Sequence, residues 1–240
     1  MLHAMRVSFY LPIGKKWGRL KNVFRRIWRG TFFHRKHFDT MIMEIIYILV
    51  SYLIGAIPFG LLIGRLVGAD VRLEGSGNIG ATNVGRVLGK KLGIVTLFCD
   101  VAKGFLPVWG VTFLLGETAA ARELLVVSCG LATVIGHMFP LYLKFKGGKG
   151  VATALGVFLF ISPGSVLVSL IVFVAAVAVS GYVSVGSLSA SLLIPLWLWS
   201  LGESSAILAV AFVIVLLIWF QHRSNIGRLL RGEEKGWKKG

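Results

Sequence analysis

The chain has 240 residues, of which 56% are hydrophobic and 15% charged, and its mean hydropathy is +0.80. This balance excludes a soluble globular protein and predicts an all-α, polytopic transmembrane helix bundle. The net charge of +16 is concentrated in a few segments, which favours anionic lipid or a phosphorylated ligand over nucleic acid as a partner.

A basic leader precedes the first hydrophobic stretch. Residues 1–40 contain ten Lys or Arg and one acid, Asp39. The leader lacks the apolar region and cleavage site of a signal peptide. We therefore predict that translation begins at Met41 or Met43, with a surface-lying helix as the alternative.

Seven hydrophobic stretches follow, and they predict about seven spans, with five or six as alternatives. They cover residues 43–67, 92–115, 124–143, 151–161, 166–179, 187–201 and 206–220. At about 1.5 Å per residue, the fourth reaches only about half of a hydrocarbon core of about 30 Å. It is therefore either a half-span or a helix that begins earlier, in residues 147–150.

Two features inside the predicted spans stand out. In the first span, Gly60, Gly64 and Gly68 have a spacing typical of close helix packing within one protein. In the second, Asp100 and Lys103 are three residues apart and therefore neighbours on one helix face. Both a functional role and a self-neutralising structural pair stay open for them.

Three polar segments lie between or after the apolar stretches. They cover residues 75–86, 144–153 and 222–228. Each combines small residues, which let backbone N–H groups approach a ligand, with fixed cations, and that is the chemistry of a phosphate cradle. The distribution of Lys and Arg places all three on the cytoplasmic side.

The first polar segment supplies main-chain, hydroxyl and amide donors along a tight backbone path. These donors belong to Gly75, Ser76, Gly77, Asn78, Thr82 and Asn83. Arg86 adds a planar fork that suits two phosphate oxygens. A turn between helices is the alternative, but a turn gains nothing from Thr82, Asn83 and Arg86.

The other two segments complete the predicted site. The run Lys146-Gly147-Gly148-Lys149 lacks the spacing of a P-loop and predicts a backbone nest with Lys149 as a point charge on phosphate. His137, near the preceding span end, is a candidate acid or base, with a structural histidine as an equal alternative.

In the third segment, His222, Asn225 and Arg228 are spaced three residues apart. That spacing predicts that they share one helical face at the membrane boundary. Alone it is typical of the basic flank of any span. Together with the other two segments it predicts a third wall of one site.

Four motifs together resemble those of the bacterial acyl-phosphate:glycerol-3-phosphate acyltransferases, the PlsY-type membrane enzymes. The motifs are residues 51–60, 75–83, 145–153 and 222–226, and the resemblance covers roughly residues 43–233. It implies a seven-helix enzyme of the bacterial inner membrane with a cytoplasmic active site. The reaction would acylate the sn-1 hydroxyl of glycerol 3-phosphate from acyl phosphate and release lysophosphatidic acid and phosphate.

The resemblance also implies roles for the residues at matching positions. The catalytic set that holds the substrate phosphates would be Ser76, Arg86, Lys149, His222 and Asn225. The substrate-binding set would be Gly75, Gly77, Asn78, Thr82, Asn83, Lys146, Gly147, Gly148 and Ser187, with Ser187 placed in the connection between the fifth and sixth spans. The proton acceptor stays open between a substrate phosphate oxygen and His222.

No cofactor or metal is expected, because Lys and Arg supply the positive charge and no acidic cluster is present to hold Mg²⁺. The expected partners are acyl phosphate, glycerol 3-phosphate, membrane lipid and the soluble enzyme that makes acyl phosphate, with no nucleic acid. We predict a leader at 1–40, an integral-membrane acyltransferase domain at 41–232 and a basic cytoplasmic tail at 233–240.

Three alternatives have weaker support. A transporter or lipid flippase is favoured only by Asp100 and Lys103, and a CDP-lipid phosphotransferase would need an Asp cluster that the sequence lacks. In the leader, His34 and Asp39 match the His-x4-Asp spacing of an acyl-CoA-type glycerolipid acyltransferase family. We interpret that match as coincidence, because it lies far from the three polar segments.

Overall fold

The computed structural model of the chain describes residues 40–114 and 119–237. The predictions about the leader, including His34 and Asp39, and about the last three residues of the tail therefore lie outside the described residues. The chain divides into two units, Met1–Ile45 and Ile46–Gly240. The second unit holds the helix bundle.

The described residues form helices and contain no strand, which confirms the predicted all-α class. The helices are α1 (40–55), α2 (Phe59–Leu66), α3 (Ala81–Val87), α4 (Lys90–Leu114), α5 (Ala119–Met138), α6 (Val151–Ile161), α7 (Pro163–Ser180), α8 (Val183–Ser200), α9 (Ser205–Gln221) and α10 (Arg223–Leu230). A short 3₁₀ helix, Leu141–Leu143, follows α5.

Five helical segments in the described part of the chain are long and apolar enough to cross a membrane. They are Thr40–Leu66, Lys90–Leu114, Arg122–Leu143, Pro163–Ser180 and Val183–Ser200. The pair α9 and α10, bent by 54°, makes a sixth if it is counted as one span. All seven predicted stretches are thus helical, while length and composition give five or six spans.

Helix α6 is the short fourth stretch, and its 11 residues begin at Val151, after Gly150 in the left-handed conformation. The helix therefore does not extend back into residues 147–150. It packs closely along α4, because Gly104 faces the carbonyl oxygen of Thr153 and Gly156 faces that of Val101, with no room for a Cβ at either glycine. This packing fixes the start of α6 next to the polar segments.

Gly60 and Gly64 of the first span serve close packing, but the segment packed against them is not another span. A Cβ at Gly60 would collide with the carbonyl oxygen of Ile79, and one at Gly64 would crowd Val71. The loop between α2 and α3 therefore lies directly on α2. Gly68, with φ of 79°, follows the helix end and has no neighbour within 4 Å of its missing Cβ.

A buried ion pair links α4 to the break between α1 and α2. Lys103 Nζ lies 2.8 Å from Asp100 Oδ1 and donates a second hydrogen bond of 2.8 Å to the carbonyl of Ile57. The two side chains are only 2% and 3% exposed. The pair that the sequence predicts on one helix face is therefore formed, and Lys103 also caps the chain where the first span is interrupted.

Candidate active site

A cavity of about 280 Å³ opens at the end of the bundle where α6, α8 and α10 begin. The first residues of these helices line it, and none of the three helices carries an acidic residue in its first turn. Helix N-termini present unpaired N–H groups and a partial positive charge, so they favour a bound anion. This end of the bundle therefore suits phosphate.

The cavity has two chemically distinct walls. Polar residues from the helix ends and loops form one wall: Ser76, Asn78, Thr82, Asn83, Arg86, Lys149, Ser184, Ser187, His222, Asn225 and Glu234. Apolar residues from within the helices form the other: Leu97, Leu155, Phe158, Val166, Leu170, Phe173, Ile194, Ile214, Val215 and Ile218. A ligand with a charged head and an apolar chain fits such a cavity.

The structure brings most of the first polar segment to the cavity, but Asn83 has an internal role. Its Oδ1 accepts a hydrogen bond of 2.7 Å from the backbone N–H of Ser76, and its Nδ2 donates to the carbonyls of Val71 and Glu74. Because these bonds engage both ends of its amide, Asn83 holds the loop in shape and is a positioning residue. The predicted Gly75 lies against Asn83 and outside the cavity wall.

The same segment shows two further features. Asn78 accepts a hydrogen bond of 2.9 Å from the N–H of Gly80, at the start of α3. Gly75 and Gly77 have φ of 62° and 70°, so they supply the left-handed turns that other residues seldom adopt. The glycines therefore shape the loop, while Ser76, Asn78 and Thr82 face the cavity.

Lys149 is the cation of the second segment that reaches the cavity, and it has no hydrogen bond or ion pair within the described residues. Burial lowers the pKa of its ammonium to about 8, with Glu234 acting in the opposite direction. Desolvation disfavours the charged form of a lysine, and a bound anion would restore it. Lys149 is thus a largely desolvated cation with an open position for an anion.

The predicted site residues that precede Lys149, from Lys146 to Gly148, do not line the cavity. The N–H groups of Gly147 and Gly148 donate to the carbonyls of Met138 and His137 at 3.1 and 3.0 Å. The predicted nest is therefore not formed by these two N–H groups, because the end of α5 already engages them. The ring of His137 fills the space where Gly148 would carry a Cβ, and Lys146 is exposed and lines a different cavity.

Arg86 closes one side of the site. Its Nη2 donates a hydrogen bond of 2.9 Å to the carbonyl of Lys235, which leaves other guanidinium N–H groups for a ligand. Burial lowers its pKa below the usual range, but an arginine remains charged at any physiological pH.

His222 lies at the 54° bend between α9 and α10 and is buried. Its Nδ1 lies 2.8 Å from the carbonyl oxygen of Ile218. A carbonyl can only accept, so Nδ1 carries the hydrogen and Nε2 is left as an acceptor. Burial, with a smaller contribution from Lys149, lowers the imidazole pKa to about 4, so His222 is neutral at physiological pH.

Glu234 is a site residue that sequence reasoning missed. Its carboxylate accepts hydrogen bonds from Asn225 Nδ2 (2.6 Å), Arg228 Nε (2.7 Å) and Ser184 Oγ (2.9 Å). Burial opposes its ionisation, but these donors together hold its pKa below the usual range. Sequence reasoning also missed Ser184. The signal that could have identified Glu234 was the pair of acids, Glu233 and Glu234, in an otherwise basic tail.

The tail segment, residues 234–237, runs along the site. Lys235 Nζ donates to the carbonyl of Gly75 at 2.7 Å, and the N–H of Trp237 donates to the carbonyl of Gly181 at 3.0 Å. The tail predicted to begin at residue 233 therefore connects the first polar segment to the turn between α7 and α8. Glu234 connects α8 to α10, because its carboxylate accepts hydrogen bonds from Ser184 of α8 and from Asn225 and Arg228 of α10.

Ser187 also lines the cavity, but its position differs from the prediction. The break after α7 consists of Gly181 and Tyr182, and Ser187 already lies in α8 with its hydroxyl donating to the carbonyl of Val183 at 2.9 Å. Gly181 in the left-handed conformation is enough to end α7. The break is therefore shorter than the interval between the predicted stretches 166–179 and 187–201.

Asp100 and His137 lie on the wall of the cavity, with 3.7 Å between Asp100 Oδ1 and His137 Nδ1. That distance exceeds a hydrogen bond. No group of three or more metal-ligating side chains occurs within residues 40–114 and 119–237, and metal independence stays a prediction.

Comparison with known proteins identifies relatives over most of the chain. Residues 45–232 match the family model described as glycerol-3-phosphate acyltransferase. The glycerol-3-phosphate acyltransferase of Desulfotalea psychrophila is 62% identical over 82% of this chain and 100% of that protein. The enzyme of the same name from Geotalea daltonii is 45% identical over 83% and 100%.

Two crystal structures match the fold. Both are of PlsY (YgiH), an integral membrane glycerol 3-phosphate acyltransferase, in its glycerol 3-phosphate and lysophosphatidic acid forms. Each is 42% identical and covers 81% of this chain and 95% of that protein, with TM-scores of 0.76 and 0.74.

Proposed function

The chain belongs to the glycerol-3-phosphate acyltransferase family, and on that premise we propose that its acyl donor is an acyl phosphate. The fatty acyl group passes to the sn-1 hydroxyl of glycerol 3-phosphate, which gives lysophosphatidic acid and inorganic phosphate. The observation that carries this proposal is the desolvated, unpaired cation Lys149 beside Arg86 and three helix N-termini, at the mouth of an apolar cavity.

The size and lining of the cavity suit a reaction in which each of the two substrates carries a phosphate group. Its volume of about 280 Å³ is at the small end for ligand pockets, which suits a phosphate group better than the nucleotide of coenzyme A. The apolar wall suits the acyl chain. Arg86, Lys149 and the starts of α6 and α8 then bind two phosphates, one on each substrate.

An acyl phosphate is already activated, so the reaction needs no covalent enzyme intermediate. The hydroxyl oxygen of glycerol 3-phosphate attacks the carbonyl carbon, a C–O bond forms, and the carbonyl–phosphate bond breaks as phosphate leaves. The protein positions the two substrates and stabilises the negative charge on the carbonyl oxygen and the departing phosphate. Lys149, Arg86 and the helix N-termini serve that purpose.

The proton of the attacking hydroxyl passes to the departing phosphate. A phosphate group has a second pKa of about 6, whereas the pKa of His222 is about 4, so phosphate is the stronger base. With Nδ1 held by Ile218, His222 Nε2 accepts a hydrogen bond from the second hydroxyl of glycerol 3-phosphate, which leaves the proton of the attacking hydroxyl to the departing phosphate. In this proposal His222 positions the nucleophile.

The proposed location is the bacterial cytoplasmic membrane, with the site facing the cytoplasm. The Lys and Arg residues near the ends of the spans support that orientation. A soluble enzyme that forms acyl phosphate would then supply the donor from the same side as glycerol 3-phosphate.

Product analysis tests the proposal. The purified full chain is incubated with labelled glycerol 3-phosphate and, in separate reactions, palmitoyl phosphate, palmitoyl-CoA or palmitoyl-acyl carrier protein. We expect lysophosphatidic acid and stoichiometric phosphate from palmitoyl phosphate alone, with the rate unchanged by EDTA. Equal or faster transfer from either thioester would disprove the donor assignment, and loss of activity on chelation would disprove the metal-free mechanism.

A further inference from the structure

A second cavity, distinct from the active site, lies beside α2 and the segment that follows α5. Its volume is about 720 Å³. It is lined by Ile57, Pro58, Leu61, Leu62, Arg65, Arg72, Tyr142, Leu143, Lys144 and Lys146. From this arrangement we propose that the cavity binds the headgroup of an anionic phospholipid from the surrounding membrane.

The charge of the cavity is the first argument. Four cations line it, and no acidic residue is among its lining residues. Arg72 is paired with Asp70, but the side chains of Arg65, Lys144 and Lys146 have no ion pair or hydrogen bond in the described part of the chain. Three exposed and unpaired cations around one concave site attract an anion.

The apolar lining is the second argument, because it selects lipid over a soluble anion. Ile57, Pro58, Leu61 and Leu62 form one side of the cavity, and a small phosphate would leave them in contact with water. A phospholipid places its glycerol and first methylenes against such a surface while its phosphate meets the cations. A phospholipid would therefore contact both the apolar and the basic residues that line the cavity.

The third argument is the form of the segment that carries Tyr142, Lys144 and Lys146. Lys144 and Phe145 have φ of 52° and 62°, a conformation that residues other than glycine seldom adopt. The tight turn is held by hydrogen bonds from Phe145 N–H to the Pro140 carbonyl (3.0 Å) and from Lys146 N–H to the Leu143 carbonyl (3.1 Å). It exposes basic and aromatic side chains side by side.

The exposed residues of this turn match a membrane interface. Leu141, Tyr142 and Phe145 are each more than half exposed, and they lie at or just after the end of the span Arg122–Leu143. Aromatic residues next to basic ones are typical of the headgroup region of a bilayer. Leu143 packs on the buried cluster that includes Leu61 and Val71, so the two walls of the cavity are in contact through that cluster.

The site is separate from the reaction, because neither Arg65 nor Lys144 lines the active-site cavity. A bound headgroup would nevertheless restrict the movement of the backbone close to Lys149. Lys144 and Lys149 are joined by five peptide bonds, and the intervening Gly147 and Gly148 are fastened to the end of α5.

Lipid titration of the intact protein tests the proposal. The full chain in neutral detergent is titrated with dioctanoyl phosphatidylglycerol or dioctanoyl phosphatidylcholine, and native mass spectrometry reports the dissociation constants. The variants are Arg65→Gln/Lys144→Gln and the single charge reversal Lys144→Glu. Lys90→Gln/Lys91→Gln is the control, since both residues are exposed and lie outside the cavity.

We expect phosphatidylglycerol to bind at least tenfold more tightly than phosphatidylcholine, and the double variant to lose at least tenfold of that affinity. Lys144→Glu should weaken binding as well, and the Lys90/Lys91 control should match the wild type. The proposal is wrong if the double variant binds like the wild type, or if the control loses as much. It is also wrong if excess inorganic phosphate or glycerol 3-phosphate displaces the lipid, because the cavity would then be a soluble-anion site.

Discussion

The carboxylate of Glu234 lies 2.6 Å from the amide nitrogen of Asn225, a residue nine positions earlier in the chain. This bond fixes the orientation of the amide, since Oδ1 of Asn225 is then turned away and has no partner among the described atoms. The tail segment thus determines what Asn225 can offer to a ligand. The contribution of Asn225 to the site, with its amide oxygen left as a free acceptor, therefore depends on Glu234.

Replacement of Glu234 by Gln should therefore impair transfer by at least about tenfold, because Arg228 loses its charged partner and one oxygen is left to accept from Asn225, Ser184 and Arg228 in place of two. The measurement is kcat/KM for glycerol 3-phosphate on purified, folded protein. Glu233→Gln is the matched control, since that exposed neighbour pairs only with Arg231. Equal activity of both variants would show that the Glu234 contacts do not support the site.

The sequence predicted the helices and most of the polar wall, because both depend on local pattern. Stretches of apolar residues identify spans wherever they occur, and Arg86, Lys149, His222 and Asn225 stand in segments rich in small and basic residues. Each of these four residues lines the cavity. Composition and hydrophobic pattern were sufficient to predict the all-α fold.

The features that the sequence did not predict are contacts between distant parts of the chain. Glu234 and Ser184 are 50 residues apart, and nothing in the sequence around either one indicates that the two side chains meet. Lys146 and Lys149 look equivalent in the sequence, yet the αL turn at Lys144 and Phe145 and the bonds from Gly147 and Gly148 send them to different cavities. Tertiary packing, rather than residue type, separates their roles.

Lys149→Ala and Arg86→Ala should each nearly abolish transfer without loss of folded protein. A cation on a desolvated phosphate contributes roughly 2–4 kcal/mol, or about 30- to 1000-fold in rate. Steady-state assays with palmitoyl phosphate provide the measurement, and Lys91→Ala, at an exposed lysine outside the cavity, is the control. If both site variants kept activity within about threefold of the wild type, the proposal that Lys149 and Arg86 bind the substrate phosphates would be wrong.

The pH dependence of substrate binding should reflect Lys149. Burial lowers its pKa to about 8, while Glu234 raises it and Arg228 and Arg86 lower it further. The ammonium is charged below that pKa and neutral above it, so KM for glycerol 3-phosphate should rise as pH increases through about 8. His222, with a pKa of about 4, stays neutral throughout this range.

Initial rates between about pH 7 and about pH 10 measure this dependence. Lys149→Arg is the informative variant, because a guanidinium keeps its charge in that range. Where the variant retains activity, the rise in KM should move to higher pH or vanish. An unchanged profile would assign the titration to another group.

The leader should be dispensable for transfer. The family model matches residues 45–232, and the ten bases of residues 1–40 oppose translocation across the membrane. A chain that starts at Met41 should insert and acylate glycerol 3-phosphate as well as the full chain, by the same product assay. An inactive, folded protein from Met41 would instead give a role to the leader and to its His34 and Asp39.

The buried pair Asp100–Lys103 should stabilise the fold rather than take part in the reaction. Lys103→Met leaves the Asp100 carboxylate without its partner and frees the Ile57 carbonyl, so it should destabilise the protein by about 3–5 kcal/mol. The double variant Asp100→Asn/Lys103→Met removes both charges and should lose less stability than the single variant does. Thermal unfolding in detergent, with both variants compared in one series, measures the difference.

Activity then separates the two interpretations that the sequence left open for this pair. Asp100 lies on the cavity wall, 3.7 Å from His137, so a catalytic carboxylate would be lost in the double variant. A structural pair should instead leave the folded double variant with kcat within about tenfold of the wild type, since Arg86 and Lys149 are the cations that we propose to bind phosphate. A stable double variant without transfer activity would make Asp100 a catalytic residue and would place part of the reaction inside the membrane span.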